Sequence, residues 1–193
     1  MKLSKSQVHT NVQRIPELYF EDQRLSSFSG CILFQKLFQK LNLRSRLQEC
    51  FEHRPERLIV GFHTIVLIMI THLMLGYRRL RDIERCRDDP VVLRALGLRR
   101  MPNVSTVSRC LSAADGSSVQ NVRRLSRECV VDRLMAERFS RVTLDFDGSV
   151  ISTGRFAEGT AVGYNNKKKG ERSYYPLLCT VAQTAQVLDV FHR

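Results

Sequence analysis

The chain has 193 residues, and its 31 lysine and arginine residues outnumber its 19 acidic residues to give a net charge of +12. This excess, most of it arginine, indicates a polyanionic partner and favours nucleic acid over an anionic membrane surface. The 6 cysteines show no CxxC pair and the histidines no HxxxH spacing, which argues against a zinc site and indicates reduced thiols in a cytoplasmic protein.

The first part of the chain is predicted to be a basic arm followed by a helical region. Residues 1–25 are polar and basic, with a short apolar cluster at Leu18–Phe20. From residue 26 to residue 43, apolar side chains such as Phe28, Phe34 and Leu41 recur at mostly three- and four-residue spacing. That spacing predicts an amphipathic helix whose apolar stripe faces a core.

The stretch from Pro55 to Tyr77 is the most apolar part of the chain. No residue between Leu58 and Leu75 carries a formal charge, so this segment reaches the minimum length for a membrane span. Gly61, His63 and other polar residues dilute its hydrophobicity, however. We therefore predict a buried central helix and no membrane span.

Between Arg78 and Arg100, eight arginines alternate with four acidic residues. Two short helices are predicted here, the second ended by Gly97. A third is predicted through Leu111, capped by Asn103 or Ser105, with Thr106 and Arg109 on its open side. Two interpretations stay open: a helix-turn-helix that reads DNA, or three small helices with a salt-bridged surface.

A long connecting helix is predicted to lead into a strand. Ser117–Gln120 has the pattern of a capping box, and a helical apolar stripe continues from there, so we place a boundary near Gly116. In 142–147 apolar residues alternate with Thr143, Asp145 and Asp147, which predicts a strand with two carboxylates on one face. Alone, this pair fits a solvated acidic face or a metal site.

A glycine-punctuated basic loop at 158–170 separates this strand from two further predicted strands. Those strands cover 173–182 and 186–191, with Pro176 near a strand start or an edge. Ala185 occupies the tight turn between them, where a glycine would be expected.

Several runs in this half of the chain resemble the DDE transposases of bacterial insertion sequences. They are Leu144–Ser149, Glu158–Gly159, Gly163–Asn165, Lys167–Gly170, Ser173–Leu177 and Val187–Arg193. The N-terminal region of the same family is resembled by Gly76–Tyr77, Asp82, Asp88–Pro90, Pro102, Ser105–Thr106 and Ser108–Arg109. The resemblance implies an α+β fold, in which an all-helical DNA-binding region (26–116) precedes a connecting helix and the first three antiparallel strands of an incomplete ribonuclease-H-like domain (117–193).

The resemblance also implies a catalytic site. Enzymes of this family cut DNA with two divalent metals, Mg²⁺ or Mn²⁺, held by three acidic residues. Asp147 matches the first acid, with Asp145 as the alternate. The other two acids belong to a later strand and helix that this chain does not contain, so we expect a truncated transposase segment that is inactive alone. The alternative is a non-enzymatic basic DNA-binding module or an inhibitor of full-length transposase.

The partner implied is DNA at the ends of an insertion sequence, with a homodimer or an assembly with full-length transposase left open. Phosphate contacts are expected from the basic loop and base contacts from the third short helix. The residues expected to touch DNA are Lys167, Lys168, Lys169, Arg172, Arg109 and Thr106. A solvated hairpin tip is the other interpretation of the basic loop.

Overall fold

The computed structural model describes residues 26–54, 60–154, 156–165 and 168–191. The predicted arm 1–25 lies outside these residues. The amphipathic segment 26–43 contains helix α1 (Cys31–Lys40), which stops short of its predicted end. Asn42, with a φ of 48°, separates it from α2 (Leu43–Cys50). Asparagine tolerates this left-handed conformation better than most residues, which explains why α1 ends before α2, a helix that was not predicted.

The predicted central helix is confirmed as α3 (Phe62–Met74). Ile65 and Ile68 on this helix are almost fully buried and belong to one core with Leu47 of α2. The buried Thr71 hydroxyl donates to the carbonyl of Leu67 at 2.9 Å, so its burial leaves no unpaired donor. Among the described residues, no helix is both long and apolar enough to cross a membrane.

The arginine-rich stretch forms three short helices, as predicted. The first is a 3₁₀ helix (Leu80–Cys86), and α4 (Pro90–Leu96) and α5 (Val104–Ser112) follow. Asp89 caps α4 by accepting from the amides of Val91 and Val92, and Gly97 ends it with a φ of 63°. Asn103 occupies the N-cap position of α5 as predicted, but its side-chain oxygen accepts from Arg87 instead of from the helix.

The strands form two small antiparallel sheets, which makes the chain α+β. The first sheet has the order β1 (Leu144–Gly148), β5 (Leu177–Val181) and β6 (Gln186–Phe191). β1 and β6 correspond to the first and third predicted strands, and β5 corresponds to the second half of the predicted strand 173–182. The second sheet has the order β2 (Ile151–Ser152), β4 (Arg172–Tyr174) and β3 (Ala161–Val162) and was not predicted. The predicted strand 173–182 is therefore two strands, divided at Tyr175–Pro176, because Pro176 has no amide hydrogen to donate to a ladder.

Helix α6 (Gly116–Glu137) links the helical core to the first sheet, since it packs against both α2 and β6. It begins at Gly116, and the predicted capping box is wrong. Asp115 is the N-cap, and its carboxylate accepts from the amide of Ser118 at 2.7 Å. Ser117 already lies in the first turn of the helix, so it is not the N-cap residue.

Replacing Ala185 with glycine should stabilise the protein. Ala185 lies in the β5–β6 turn with a φ of 54°, which strains any residue that has a Cβ atom. Relief of this strain outweighs the extra freedom of glycine in the unfolded chain, so we expect a gain of about 0.5–1 kcal/mol in the free energy of unfolding. Urea titration measures it.

Ala182→Gly is the matched control, because Ala182 lies in the same turn but not in the left-handed region. It should lower stability by about 0.5–1 kcal/mol. Equal losses in both variants would show that the Ala185 backbone is not strained.

Candidate functional site

The two carboxylates of β1 lie on one face of the first sheet. Asp145 is opposite Thr180 and Asp147 is opposite Leu178 on β5. Side chains of directly opposite residues point to the same side of a sheet, so these four residues share a face. Both aspartates are exposed. The predicted alternation of apolar and acidic side chains along this strand is therefore confirmed.

Helix α6 packs on the other face of this sheet. Phe146 is opposite Cys179, which is opposite Asp189 on β6, so these three share the face away from the two carboxylates. Asp189 contacts α6 through Arg123. The carboxylate face is thus the one that α6 leaves open.

Asp145 and Asp147 are the only predicted metal ligands, and the donor chemistry suits a hard divalent cation. Within the described ranges, no group of three His, Cys, Asp or Glu side chains is placed to hold a metal ion. Around the two aspartates the same face carries apolar residues of β6, Val187 and Val190, by the register of the strands. An ion bound there would take its remaining ligands from elsewhere.

β1 is an edge strand of its sheet and also exposes its apolar side chains. Leu144 is 43% exposed and Phe146 is 62% exposed, although both point to the face that α6 partly covers. Cys179 and Val181 on the neighbouring strand are buried. The contacts of α6 with this sheet are made to β6, and Leu144 and Phe146 on β1 stay exposed.

Asp189 is held by two arginines of α6. Its carboxylate accepts from Arg123 at 2.5 and 2.9 Å and from Arg127 at 2.6 Å. The Arg123 guanidinium also lies 4.3 Å from the centre of the Phe191 ring. These hydrogen bonds, first of all those from Arg123, hold the pKa of Asp189 well below its usual range.

This cluster was not predicted from the sequence. Asp189 is the only charged residue in the apolar strand 186–191, and Arg123 and Arg127 are one helical turn apart. Those two signals are consistent with an ion pair between helix and strand, but they do not specify which residues form it. Asp189 therefore has a structural role, because its carboxylate joins β6 to α6.

The predicted DNA-binding loop lies at the β3–β4 connection of the second sheet. Lys167 falls outside the described residues. Lys168 forms an ion pair with Glu171 at 3.2 Å, and Lys169 is exposed. The buried Asn165 anchors the loop, because its side-chain oxygen accepts from the amide of Lys168 and its nitrogen donates to Ser173.

Arg172 is engaged inside the second sheet. Its Nε donates to the hydroxyl of Thr160 at 2.9 Å, and a second nitrogen donates to the carbonyl of Thr160. Its guanidinium thereby ties the start of β4 to the residue before β3. At most three of the five N–H donors of the guanidinium are left for other partners. The expected role of Arg172 in binding DNA therefore competes with its contact to Thr160.

Helix α5 presents Arg109 to solvent and keeps Thr106 half-buried. Val107 and Cys110 form its buried face. The Nε of Arg109 donates to the carbonyl of Ser105, one turn earlier on the same helix, at 3.3 Å. Arg109 is thus accessible to an external partner, and Thr106 only in part.

Neither a search of curated proteins nor a search of solved structures found a match to this chain. A family model described as "Transposase DDE domain group 1" matches residues 9–191. The match covers nearly the whole chain, including the helical core, α6, and the strand that carries Asp145 and Asp147. This chain therefore belongs to the DDE transposase family.

Proposed function

We propose that this chain acts in insertion-sequence transposition, as a DDE-type segment serving metal-dependent DNA cleavage and strand transfer. The observation that carries the proposal is the pair of exposed carboxylates, Asp145 and Asp147, on the open face of β1 in a chain of this family. In this view the sheet β1-β5-β6 is the start of a ribonuclease-H-like domain. The helical DNA-binding region ends near Gly116, where α6 begins.

Asp147 is the first catalytic acid in this proposal, and Asp145 is the alternate. Asp147 is followed directly by Gly148 at the end of β1, where an ion and a DNA strand can approach without steric hindrance. Carboxylate oxygens select Mg²⁺ or Mn²⁺ over softer metals. When bound, a pair of such ions activates a water or 3′-hydroxyl nucleophile and stabilises the leaving oxygen.

The chain is proposed to be inactive by itself, because two carboxylates are too few ligands for two divalent ions. Activity then requires further acidic residues beside Asp145 and Asp147. The exposed Leu144 and Phe146 at the edge strand favour assembly with another transposase chain, since an apolar edge gains by being covered. The net charge of +12 favours the second candidate function, a basic DNA-binding module that competes with full-length transposase.

DNA contacts are proposed at two places. The basic loop, through Lys168 and Lys169 together with Lys167, contacts phosphates, while Arg172 mainly holds the loop through Thr160. On α5, the exposed Arg109 with Thr106 beside it contacts base edges.

Mn²⁺ binding tests the carboxylate site directly. In the presence of duplex DNA, the double variant Asp145→Asn/Asp147→Asn should bind Mn²⁺ at least about tenfold more weakly than the wild type, because it loses both anionic ligands but keeps side-chain volume. Electron paramagnetic resonance of free Mn²⁺ gives the affinity. Asp147→Asn alone should account for most of the loss.

Asp132→Asn serves as the control, since Asp132 is exposed on α6 and pairs with Arg46. It should leave Mn²⁺ binding unchanged. A double β1 variant that binds Mn²⁺ as well as the wild type would contradict the proposed metal site.

A further inference from the structure

The arginines between Arg78 and Arg100 carry a concentrated positive charge that the proposed site does not use. Eight arginines against four carboxylates give this segment a net charge of +4. Three of the four carboxylates already interact with groups in the same segment. Asp82 pairs with Arg85, Glu84 with Arg87, and Asp89 caps α4.

The 3₁₀ helix sorts its residues into three columns, because side chains three apart eclipse each other in this geometry. Ile83 and Cys86, with the half-buried Leu80, form the column that packs on the core. The charged residues are thereby forced onto the other two columns. Arg81 is exposed there, and Arg78 is exposed just before the helix.

A second group of arginines lies in the connection between α4 and α5, and the start of α5 contacts the end of the 3₁₀ helix. Arg87 donates to the side-chain oxygen of Asn103 at 2.8 Å and so joins that end to the start of α5. Arg99 and Arg100 precede Asn103 by four and three residues, so their Cα atoms lie within about 10–14 Å of it. Both are exposed.

Among the residues that the structure describes, these four cations have no counter-ion. Within the described part of the chain, no carboxylate lies within 4.0 Å of a side-chain nitrogen of Arg78, Arg81, Arg99 or Arg100. Arg81 lies on the 3₁₀ helix, Arg78 lies just before it, and Arg99 and Arg100 lie in the connection between α4 and α5. Such an arrangement is stabilised by a polyanion that contacts several of them at once.

We propose that Arg78, Arg81, Arg99 and Arg100 form a phosphate-binding surface for the backbone of duplex DNA, separate from Arg109 and from the basic loop. Guanidinium groups bind phosphate oxygens bidentately and fix a protein on the duplex without reading bases. The choice of DNA as the polyanion rests on the proposed function. The surface itself is inferred from the exposure of these four arginines and from their lack of a counter-ion among the described residues.

The salt dependence of DNA binding tests this surface. Each phosphate contact contributes about 0.9 to the slope of log affinity against log salt concentration. The full chain carrying Arg78→Gln, Arg81→Gln, Arg99→Gln and Arg100→Gln should therefore show a slope smaller by up to about 3.6 on a duplex of random sequence. Fluorescence anisotropy at five salt concentrations gives the slope, and circular dichroism confirms that the variant is folded.

The control removes the same number of exposed positive charges elsewhere. Its substitutions are Lys36→Gln, Lys40→Gln, Arg133→Gln and Arg141→Gln. The slope of this variant should differ from the wild-type slope by less than about 1. Equal reductions in the two variants would mean diffuse attraction to the whole chain and would overturn the proposal.

Two further outcomes separate this inference from the proposed function. A wild-type chain that binds no duplex DNA would refute the DNA-directed function itself, whereas normal wild-type binding with an unchanged slope in the arginine variant would refute the surface alone. If the arginine variant loses binding to vesicles of phosphatidylserine and phosphatidylcholine but keeps its DNA slope, the surface binds anionic headgroups and the assignment to DNA is wrong.

Discussion

The purified 193-residue chain should leave duplex DNA uncut in the presence of Mn²⁺, at concentrations at which it binds that DNA. Asp145 and Asp147 are the only paired acids on the open face of β1, and the described residues contain no group of three potential metal ligands. Two Mg²⁺ or Mn²⁺ ions in near-octahedral geometry need more anionic oxygens than two carboxylates supply.

The size of the expected defect follows from what each ion contributes. Loss of one electrostatic stabiliser of the transition state lowers a rate constant by about 10²–10³. Without a second ion, neither the attacking nor the leaving oxygen is fully stabilised. The deficit is large enough to place cleavage below detection in an ordinary gel assay.

The assay uses end-labelled DNA taken from either side of the reading frame of this chain. Asp145→Asn/Asp147→Asn gives the background from any contaminating nuclease. Cleavage by the wild type above that background would contradict the prediction and would mean that the chain assembles a complete site. In that case, the double variant in which only Asp147 is restored can be compared with the one in which only Asp145 is restored. Cleavage by the first and not by the second would identify Asp147 as the first acid.

Asp189→Asn should lower the free energy of unfolding by about 2 kcal/mol, because it removes the charge that two arginines of α6 share. The Asp189 side chain is only 9% exposed, so water replaces the lost contacts poorly. For a chain of this length the melting temperature should fall by about 4–8 °C. Differential scanning calorimetry measures both quantities.

Asp132→Asn is the matched control, since Asp132 also pairs with an arginine but is 66% exposed. Its effect should stay below about 0.5 kcal/mol, because exposed ion pairs are screened by solvent. Equal losses in the two variants would show that Asp189 does not hold α6 to the sheet in solution.

The pH dependence provides a second test of the same cluster. The folded-state pKa of Asp189 is lowered, so its stabilisation is fully present above the unfolded-state pKa of about 4 and is lost as the pH falls below that value. Acid should therefore destabilise the wild type more than Asp189→Asn below about pH 4. Identical pH profiles would contradict this assignment.

Local patterns in the sequence predicted most of the secondary structure. The uncharged segment before Leu75 became the buried helix α3, the alternation around Asp145 became β1, and Gly97 ended α4. Ala185 has the left-handed backbone expected of a tight turn. These features depend on the spacing of apolar residues and on the φ preferences of single residues, which a sequence displays directly.

The roles of charged side chains depended on residues far away in the chain. Arg172 looked like a free cation of the basic loop, but Thr160 binds it. Asp189 looked like an ordinary strand residue, but Arg123 and Arg127, more than sixty positions earlier, bind its carboxylate. A long polar side chain meets whichever partner the packing brings within reach, and no local pattern specifies that partner.

The accessibility of the two carboxylates on β1 also depends partly on the sequence pattern and partly on the tertiary structure. Alternation in the sequence placed Asp145 and Asp147 together on one side of the strand. It did not tell which side α6 covers, because either face of a short strand can receive a helix. The register of β5 and β6 and the ion pair of Asp189 set the helix on the opposite face, and this packing is what leaves the two carboxylates accessible.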